Sequence, residues 1–592
     1  MLAEPLDAHM IGCDTSSPNA RRGGRPLVNL RESSLLLCHL FLVSSTRLCS
    51  LRCLSGIVRS MASSIIRKAN IQGDIWPGLP KRFQSFLFFN ILKPQEFKDR
   101  LKKFAVEGNI TSAAQACEMK DKIAAEKKKN EASGSKAPLL PLPGVNIAFS
   151  STGLYKVGPS HQRLTGIALT PCCNIQLGKF VQFSDQEAVK RDRKLSKLFR
   201  QQQLRGGLFE KGMFDDLVNE GWDNPQDIRE QYHPAGPDGK TRLIDGVLTV
   251  TSSVESDIAE QIERVSNTFV EDGVVSLPLK RHGKVRPEPF KGKEHFGFED
   301  GISQPQIKGL DDQGTHSKKL GEKEPKHSEP GLILCGHQGD PMNQPKWAQD
   351  GSFLVVRDLQ QMVPEFDSWL ETNASNAPFT EGHPKPAEKL AAYLMGRWKN
   401  GTPVDESPHK DDDPALYKSN NFDYEPRDKH DRCPFAAHTR KMRPRADLSH
   451  DHAVIIRRGI PYGPEVSETE RLEKKSEEDR GLLFTCYQSD IRNGFNFLTT
   501  RWASNHHFPD RKHKFVGAAG PGIDAIVGQR LDHHPPRSIG LPDGKDPTEH
   551  RMELESWVVH KGGEYFFAPS LDAITTYLTG PDDYDFAPSA RL

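Results

Sequence analysis

The sequence carries almost no net charge. Its 592 residues include 80 Lys and Arg against 79 Asp and Glu, which leaves a formal charge of +1 at pH 7. Domains that bind nucleic acid or anionic membranes usually show a clear basic surplus. A dense basic stretch at 190–200 has few aromatic side chains on which bases could stack. We therefore expect no nucleic-acid partner.

Long apolar runs and cysteine motifs are scarce as well. The apolar run at 35–43 is shorter than the roughly 20 residues that a membrane-spanning helix needs, so we expect no membrane span. The ten cysteines do not form a disulfide framework in a chain of this length, and the adjacent Cys172 and Cys173 are poorly placed to pair with each other. The sequence has no Cys-x-x-Cys-His motif, which argues against covalently attached haem of the c type.

Two segments differ in composition from the rest. Residues 1–60 mix Arg, Ser and Cys with short apolar runs, and we expect them to lie outside the folded core. The alternatives for this extension are a mitochondrial presequence, against which its acidic residues count, and an over-extended gene model whose true start is Met61. Residues 159–205 offer no strand to a sheet. We expect this insertion to be a retained intron or a lineage-specific loop.

The remaining sequence predicts two sets of elements with the same order of strands and helices. The first set, within 61–310, has strands at 86–92, 145–150, 245–252 and 274–279, with helices from about 95 and over 254–270. The second, within 311–592, has strands at 351–357, 453–457 and 482–488, a strand pair in 556–567, and helices near 363–371, 387–398 and 490–502. This order is typical of ferredoxin-like α+β folds. We therefore predict two ferredoxin-like domains packed together.

A stretch near the middle of the chain concentrates unusual residues around one carboxylate. Asp300 lies between Gly297 and Gly301, with Phe296 and Phe298 just before it. Glycine permits bent backbone, and an apolar setting disfavours the charged form of a carboxyl and can tune it for proton transfer. The alternative is a plain turn, since Asp-Gly is common in turns.

The run Gly297-Phe298-Glu299-Asp300-Gly301 resembles the GxxDG signature of the dye-decolorising (DyP-type) haem peroxidases, of fungal type. Further stretches resemble that family's proximal histidine motif, distal arginine segment, distal pocket strand, proximal aspartate segment and C-terminal strand, in the order 433–441, 455–463, 480–488, 522–528 and 562–570. The resemblance covers about 70–578 apart from the insertion. It implies a dimeric α+β barrel with haem in the C-terminal half.

The resemblance assigns the central roles to three residues. His438 would be the proximal iron ligand, as imidazole is in most peroxidases. Asp300 would act as the distal acid/base, and Arg457 would stabilise negative charge that develops on peroxide. Because side chains alternate along a strand, Arg458 should point the other way.

Further residues follow from the same resemblance. Leu482 and Phe484 would share one face and narrow the distal pocket, and Asp524 would orient His438. A bulky dye could then not reach the iron, so electrons would leave from a surface side chain. Trp502 and Tyr462 match positions where the family's fungal members carry surface oxidation sites. The alternative for Trp502 is a packing role.

The function implied by the resemblance is a peroxidase that contains one non-covalent haem b per chain. Its partners would be hydrogen peroxide and dyes, phenols or similar aromatic reductants, oxidised in one-electron steps by a monomer or homodimer. An acidic optimum is expected, because a carboxylate remains a base at lower pH than histidine does. The alternatives are a haem carrier or haem-iron release protein on the same fold, and a non-haem binding protein. We expect a cytoplasmic location, with secretion as the alternative.

Overall fold

The computed structural model describes residues 65–580, apart from 133, 136–137, 159–206, 236–242, 312–327, 343, 425–429, 449–452, 513–515, 517–519, 530–536 and 541–550. The predicted extension 1–60 and the predicted insertion 159–205 lie outside the described residues. Within the described part of the chain, no helix is both long enough and apolar enough to span a bilayer.

Strands from both halves of the chain form one antiparallel sheet. The strands are β1 (Phe83–Ile91), β2 (Gly144–Phe149), β3 (Gly246–Ser252), β4 (Val275–Lys284), β5 (Ser352–Gln361), β6 (Ile456–Arg457), β7 (Ile460–Tyr462), β8 (Gly481–Gln488) and β11 (Val558–Ala568), while β9 (Ser538–Gly540) and β10 (Arg551–Glu553) pair separately. The helices are α1 (Pro94–Val106), α2 (Ala113–Ala132), α3 (Ser151–Val157), α4 (Leu208–Lys211), α5 (Glu255–Phe269), α6 (Val363–Asn373), α7 (Pro386–Met395), α8 (His438–Met442) and α9 (Glu468–Glu473).

The strand order repeats itself across the sheet. It runs β4-β1-β3-β2 in the first half and β11-β5-β8-β6 in the second, with β7 also paired to β8. In each half the last strand lies beside the first, and the third lies beside the second, which is the ferredoxin-like order. The halves join where Phe149 of β2 pairs with Phe567 of β11. The predicted fold class is therefore confirmed, although the domain boundary near residue 310 stays a prediction.

The two ends of the sheet approach each other. Gly283 of β4 packs so closely against Ile460 and the Pro461 carbonyl of β7 that a Cβ would not fit there. Along β1, Phe86 and Phe88 belong to one buried cluster and Leu87 and Phe89 to another. This alternation places apolar layers on both faces of the sheet, each such side chain contributing about 1.5–3 kcal/mol on burial.

Three predicted elements near the site differ from the structure. The predicted strand pair in 556–567 is the single strand β11, because the Gly562-Gly563 dipeptide makes a bulge instead of a turn. The predicted strand 453–457 shortens to β6. The predicted helix 490–502 is two π-helical runs, Arg492–Asn496 and Leu498–Ala503, with non-helical backbone at Gly494. Glycine has no Cβ to disfavour that conformation.

Candidate active site

His438 opens the short helix α8 with one ring nitrogen engaged and the other available. Its Nδ1 lies 2.8 Å from Oδ2 of Asp524. Its Nε2 has no hydrogen-bond partner among the described residues, and the side chain keeps 26% of its surface exposed. Because the carboxylate accepts from Nδ1, the proton belongs there, and Nε2 is left with a free lone pair suited to a metal.

Asp524 is itself held in place. Its Oδ1 accepts hydrogen bonds from the amides of Ile526 (2.8 Å) and Val527 (2.9 Å). Burial alone would raise the pKa of Asp524, but the adjacent His438 outweighs that effect and lowers it. Likewise burial disfavours charge on His438, yet the carboxylate of Asp524 raises the pKa of the imidazole. The pair therefore makes the His438 ring a stronger electron donor.

Asp300 and Arg457 form a second pair. Nη1 of Arg457 donates to Oδ1 of Asp300 at 2.8 Å, and Nη2 donates to the Ser303 carbonyl at 3.0 Å. The Arg457 amide also donates to Oε1 of Gln304 (3.1 Å), while Nε2 of Gln304 donates to the Arg457 carbonyl (3.0 Å). These bonds tie strand β6 to the loop that follows Asp300.

The surroundings of Asp300 are more polar than its neighbours in sequence indicate. Phe296 and Phe298 are buried in the cluster that contains Phe366 of α6. The carboxylate of Asp300 is instead 32% exposed and faces Arg457. Gly301 has φ of +79°, a conformation that favours glycine, and its amide donates to Oδ1 of Asp300 at 2.6 Å. The hydrogen-bond partners of this carboxylate are therefore a guanidinium and a backbone amide.

Strand β8 supplies apolar side chains on the same face as Arg457. Arg457 pairs in register with Cys486, two residues after Phe484. Leu482 and Phe484 are half-buried on that face, and the ring centroids of Phe484 and Phe495 lie 6.3 Å apart. Arg458 points away and donates to the carbonyls of Asp74 (2.9 Å) and Ile75 (3.1 Å), as strand alternation predicts.

The two pairs lie within electrostatic reach of each other. The charges of Arg457 and Asp300 reach His438, where the first opposes and the second favours protonation of the ring. Within the described part of the chain, no cluster of three or more His, Cys, Asp or Glu side chains could hold a bare metal ion. A single available imidazole nitrogen thus fits an iron whose other ligands come from a macrocycle, as in haem.

The chain is similar to known families and proteins over most of its length. Residues 70–165 match the DyP dimeric alpha+beta barrel domain, and residues 306–528 match the C-terminal domain of Dyp-type peroxidases. Dye-decolorizing peroxidase msp1 of Mycetinis scorodonius is 31% identical, over 88% of this chain and 89% of the relative. AauDyP1 of Auricularia auricula-judae is 31% identical, over 87% of each.

This chain belongs to the dye-decolorising peroxidase family. The solved structure of an ancestral D-type dye-decolorizing peroxidase covers 87% of this chain and all of its own, with a TM-score of 0.69 and 36% identity. A Deferrochelatase of Yersinia pestis is 31% identical but matches only 38% of this chain and 41% of its own length. The chain is accordingly a haem peroxidase enzyme of fungal DyP type, and the haem-iron release alternative is the weaker one.

Trp502 and Tyr462 were expected at the surface of this DyP-type peroxidase, and that expectation was wrong. Trp502 is only 2% exposed and stacks on Phe508 with ring centroids 5.0 Å apart. Tyr462 is 4% exposed, donates to Oδ1 of Asp479 at 3.2 Å, and has the Arg281 guanidinium 4.4 Å above its ring. Large aromatic side chains bury much apolar surface when they pack, and both side chains lie inside the protein. Their role in electron transfer stays a prediction.

Sequence reasoning also missed residues that hold the site. Gln304 lies four residues after Asp300, so its bonds to the Arg457 backbone could have been sought from its position alone. Asn420 and Arg397 belong to a polar stretch without a motif. Oγ of Ser303 donates to Oδ1 of Asn420 at 2.8 Å and accepts from Nη2 of Arg397 at 3.4 Å. Only the folded structure brings these side chains to the loop of Asp300.

Proposed function

We propose that this peroxidase holds one non-covalent haem b per chain in its C-terminal half, with Nε2 of His438 as the axial protein ligand. The observation that carries this proposal is the His438–Asp524 pair, which leaves one imidazole nitrogen available within electrostatic reach of Asp300 and Arg457. When bound, the haem iron supplies the electron transfer between peroxide and the reductant. The proposed oligomeric state is a monomer or a homodimer.

Asp300 is the proposed proton carrier for peroxide. Its carboxylate accepts the proton from one peroxide oxygen and returns it to the other oxygen, which leaves as water. Arg457 already donates to Asp300 over 2.8 Å, and it stabilises the negative charge that develops on the departing oxygen. A side chain with one-third of its surface exposed can exchange its proton with solvent between turnovers.

The proposed reductants are phenols and dyes oxidised in one-electron steps. A dye-decolorizing peroxidase that is 34% identical to this chain has been solved in complex with 2,6-dimethoxyphenol. Leu482 and Phe484 line the face beside Arg457, so we propose that they restrict the distal space to peroxide and small molecules. A surface side chain that passes electrons from a bulky dye has to be exposed, and the exposed tyrosines in the described ranges are Tyr155 and Tyr417. The cytoplasmic location stays a prediction.

The test is the absorption spectrum of the purified protein, of its His438→Ala variant and of His507→Ala, before and after peroxide. We expect a haem spectrum that changes with peroxide in the parent protein and in His507→Ala, a histidine outside the pairs described above. His438→Ala should lose the haem or its ligand-field bands. An unchanged spectrum in His438→Ala would reject the ligand assignment. Release of iron-free porphyrin without peroxide turnover would favour haem-iron release.

A further inference from the structure

A polar segment from the second half of the chain folds over the loop that carries Asp300. This segment, residues 397–422, is called the brace below. Nζ of Lys293 donates to the Lys399 carbonyl at 3.0 Å, and Nζ of Lys418 pairs with Glu299 at 3.0 Å. At Gly401, a Cβ would come within 2.7 Å of Ile302 Cδ1. The brace therefore contacts the loop that carries Asp300, on both sides of that residue in the sequence. This loop is called the distal loop below.

Asn420 contacts two consecutive residues that follow Asp300 in the sequence. Its Nδ2 donates to the Ile302 carbonyl at 2.9 Å, and its Oδ1 accepts from Oγ of Ser303 at 2.8 Å. The nitrogen and the oxygen of one side-chain amide therefore bind two consecutive residues of the distal loop. Because the donor and the acceptor cannot be exchanged, this arrangement fixes the orientation of the amide.

Two guanidinium groups fix Asn420 in turn. Nη2 of Arg397 donates to Oδ1 of Asn420 at 2.8 Å, while its Nη1 donates to the carbonyls of Gly401 and Ser419, both at 2.8 Å. Nη1 of Arg445 donates to the Asn420 carbonyl at 2.9 Å. Burial lowers the pKa of Arg397 to about 10, so the side chain remains charged at neutral pH.

We propose that Asn420 is a positioning residue for the reaction with peroxide. Ser303 is shared between two partners, since its Oγ donates to Asn420 and its carbonyl accepts from Arg457. Movement of Ser303 would consequently move Arg457 relative to Asp300. Misplacement by about 1 Å can cost a reaction about 10²-fold. The inference rests on the acid/base role proposed for Asp300.

The kinetic test compares Asn420→Ala and Asn420→Asp with the parent holoenzyme. We expect the bimolecular rate of the peroxide-induced haem spectral change to fall about 10- to 100-fold in Asn420→Ala, with haem content retained. Asn420→Asp keeps an acceptor for Ser303 but turns a second oxygen toward the Ile302 carbonyl, so it should also react slowly. Asn219→Ala is the matched control, because Asn219 is exposed and bonds only locally to Asp215.

Hydrogen exchange supplies a readout that does not depend on turnover. The Gly301 amide donates to Asp300, so peptides that contain 301–304 should exchange faster in Asn420→Ala than in the parent and in Asn219→Ala. An unchanged peroxide rate in Asn420→Ala would overturn the proposal, whether or not exchange increased. If Asn420→Ala lost its haem, the peroxide rate and the hydrogen exchange of Ser303→Ala would test the proposal instead. If Asp300→Asn left the peroxide rate unchanged, the acid/base role proposed for Asp300 would be rejected. The hydrogen-exchange result would still show whether the brace orders the distal loop.

Discussion

Asp524 accepts a hydrogen bond from Nδ1 of His438 over 2.8 Å while two backbone amides hold its other carboxylate oxygen. The carboxylate can therefore not rotate away from the ring without losing two further bonds. Such a partner fixes the tautomer of a histidine ligand and increases its basicity. His438 and Asp524 therefore form a rigid pair that the amides of Ile526 and Val527 hold in place.

Asp524→Asn should weaken haem binding and raise the reduction potential of the iron. The substitution keeps the shape of the side chain but removes the charge that makes the imidazole electron-rich, and loss of such a partner commonly costs about 10–100-fold in metal affinity or activity. Redox titration and the rate of haem transfer to an acceptor apoprotein measure the two effects. Values equal to those of the parent protein in both measurements would contradict this account of the pair.

Asp300→Asn should slow the peroxide reaction by about 10²–10⁴-fold, because the amide cannot accept the proton. Arg457→Leu should slow it by about 10²–10³-fold through loss of charge stabilisation. Stopped-flow absorbance after mixing with peroxide gives both rates. Arg458→Lys is the matched control, since Arg458 points to the other face of β6, and its rate should stay near that of the parent. Parent-like rates in both site variants would remove these residues from the mechanism.

Trp502→Phe should lower stability without changing substrate preference. Trp502 is buried against Phe508 and Phe497, and a smaller ring leaves unfilled space, which costs roughly 0.5–3 kcal/mol. Thermal unfolding measures the loss, and turnover of a large anthraquinone dye and of a small phenol should change by equal factors. A selective loss of dye turnover would instead show that electrons leave through this buried side chain.

Arg480→Met should destabilise the protein strongly. Arg480 donates to both carboxylate oxygens of Glu470, at 2.7 and 2.6 Å, and neither side chain is exposed. Loss of one partner from a buried pair costs roughly 3–5 kcal/mol, because the remaining carboxylate keeps only the amides of Ser467, Glu477 and Glu478 and has no counter-charge. Chemical denaturation measures this loss, and the added change Glu470→Leu should recover part of it. No recovery would mean that the unpaired carboxylate is not the cause.

The same pair predicts a pH dependence. The hydrogen bonds from Arg480 lower the pKa of Glu470 in spite of its burial. A carboxyl whose folded pKa lies below its unfolded value, which is about 4.3, stabilises the fold fully above that value. The stability difference between the parent and the Arg480→Met/Glu470→Leu protein should thus shrink as pH falls below about 4.

Part of the site could be predicted from local motifs. The rest depends on contacts between residues far apart in the sequence, which local patterns do not reveal. Asp300, Arg457 and His438 each lie in a short stretch whose residues point to a role, and the repeated order of elements was enough for the fold class. The burial of Trp502 depends on Phe508, which the helical pattern did not include. The contact of Asn420 with Ser303 joins residues far apart in sequence, and no periodicity encodes such a bond.

The place of β11 has a consequence for synthesis of the protein. This strand pairs with β5 on one side and meets β2 on the other, yet it is the last strand of the described chain to leave the ribosome. Until then the edges of β2 and β5 have no partner, and unpaired strand edges invite aggregation. We therefore expect a chain truncated before β11 to leave both of these strand edges unpaired.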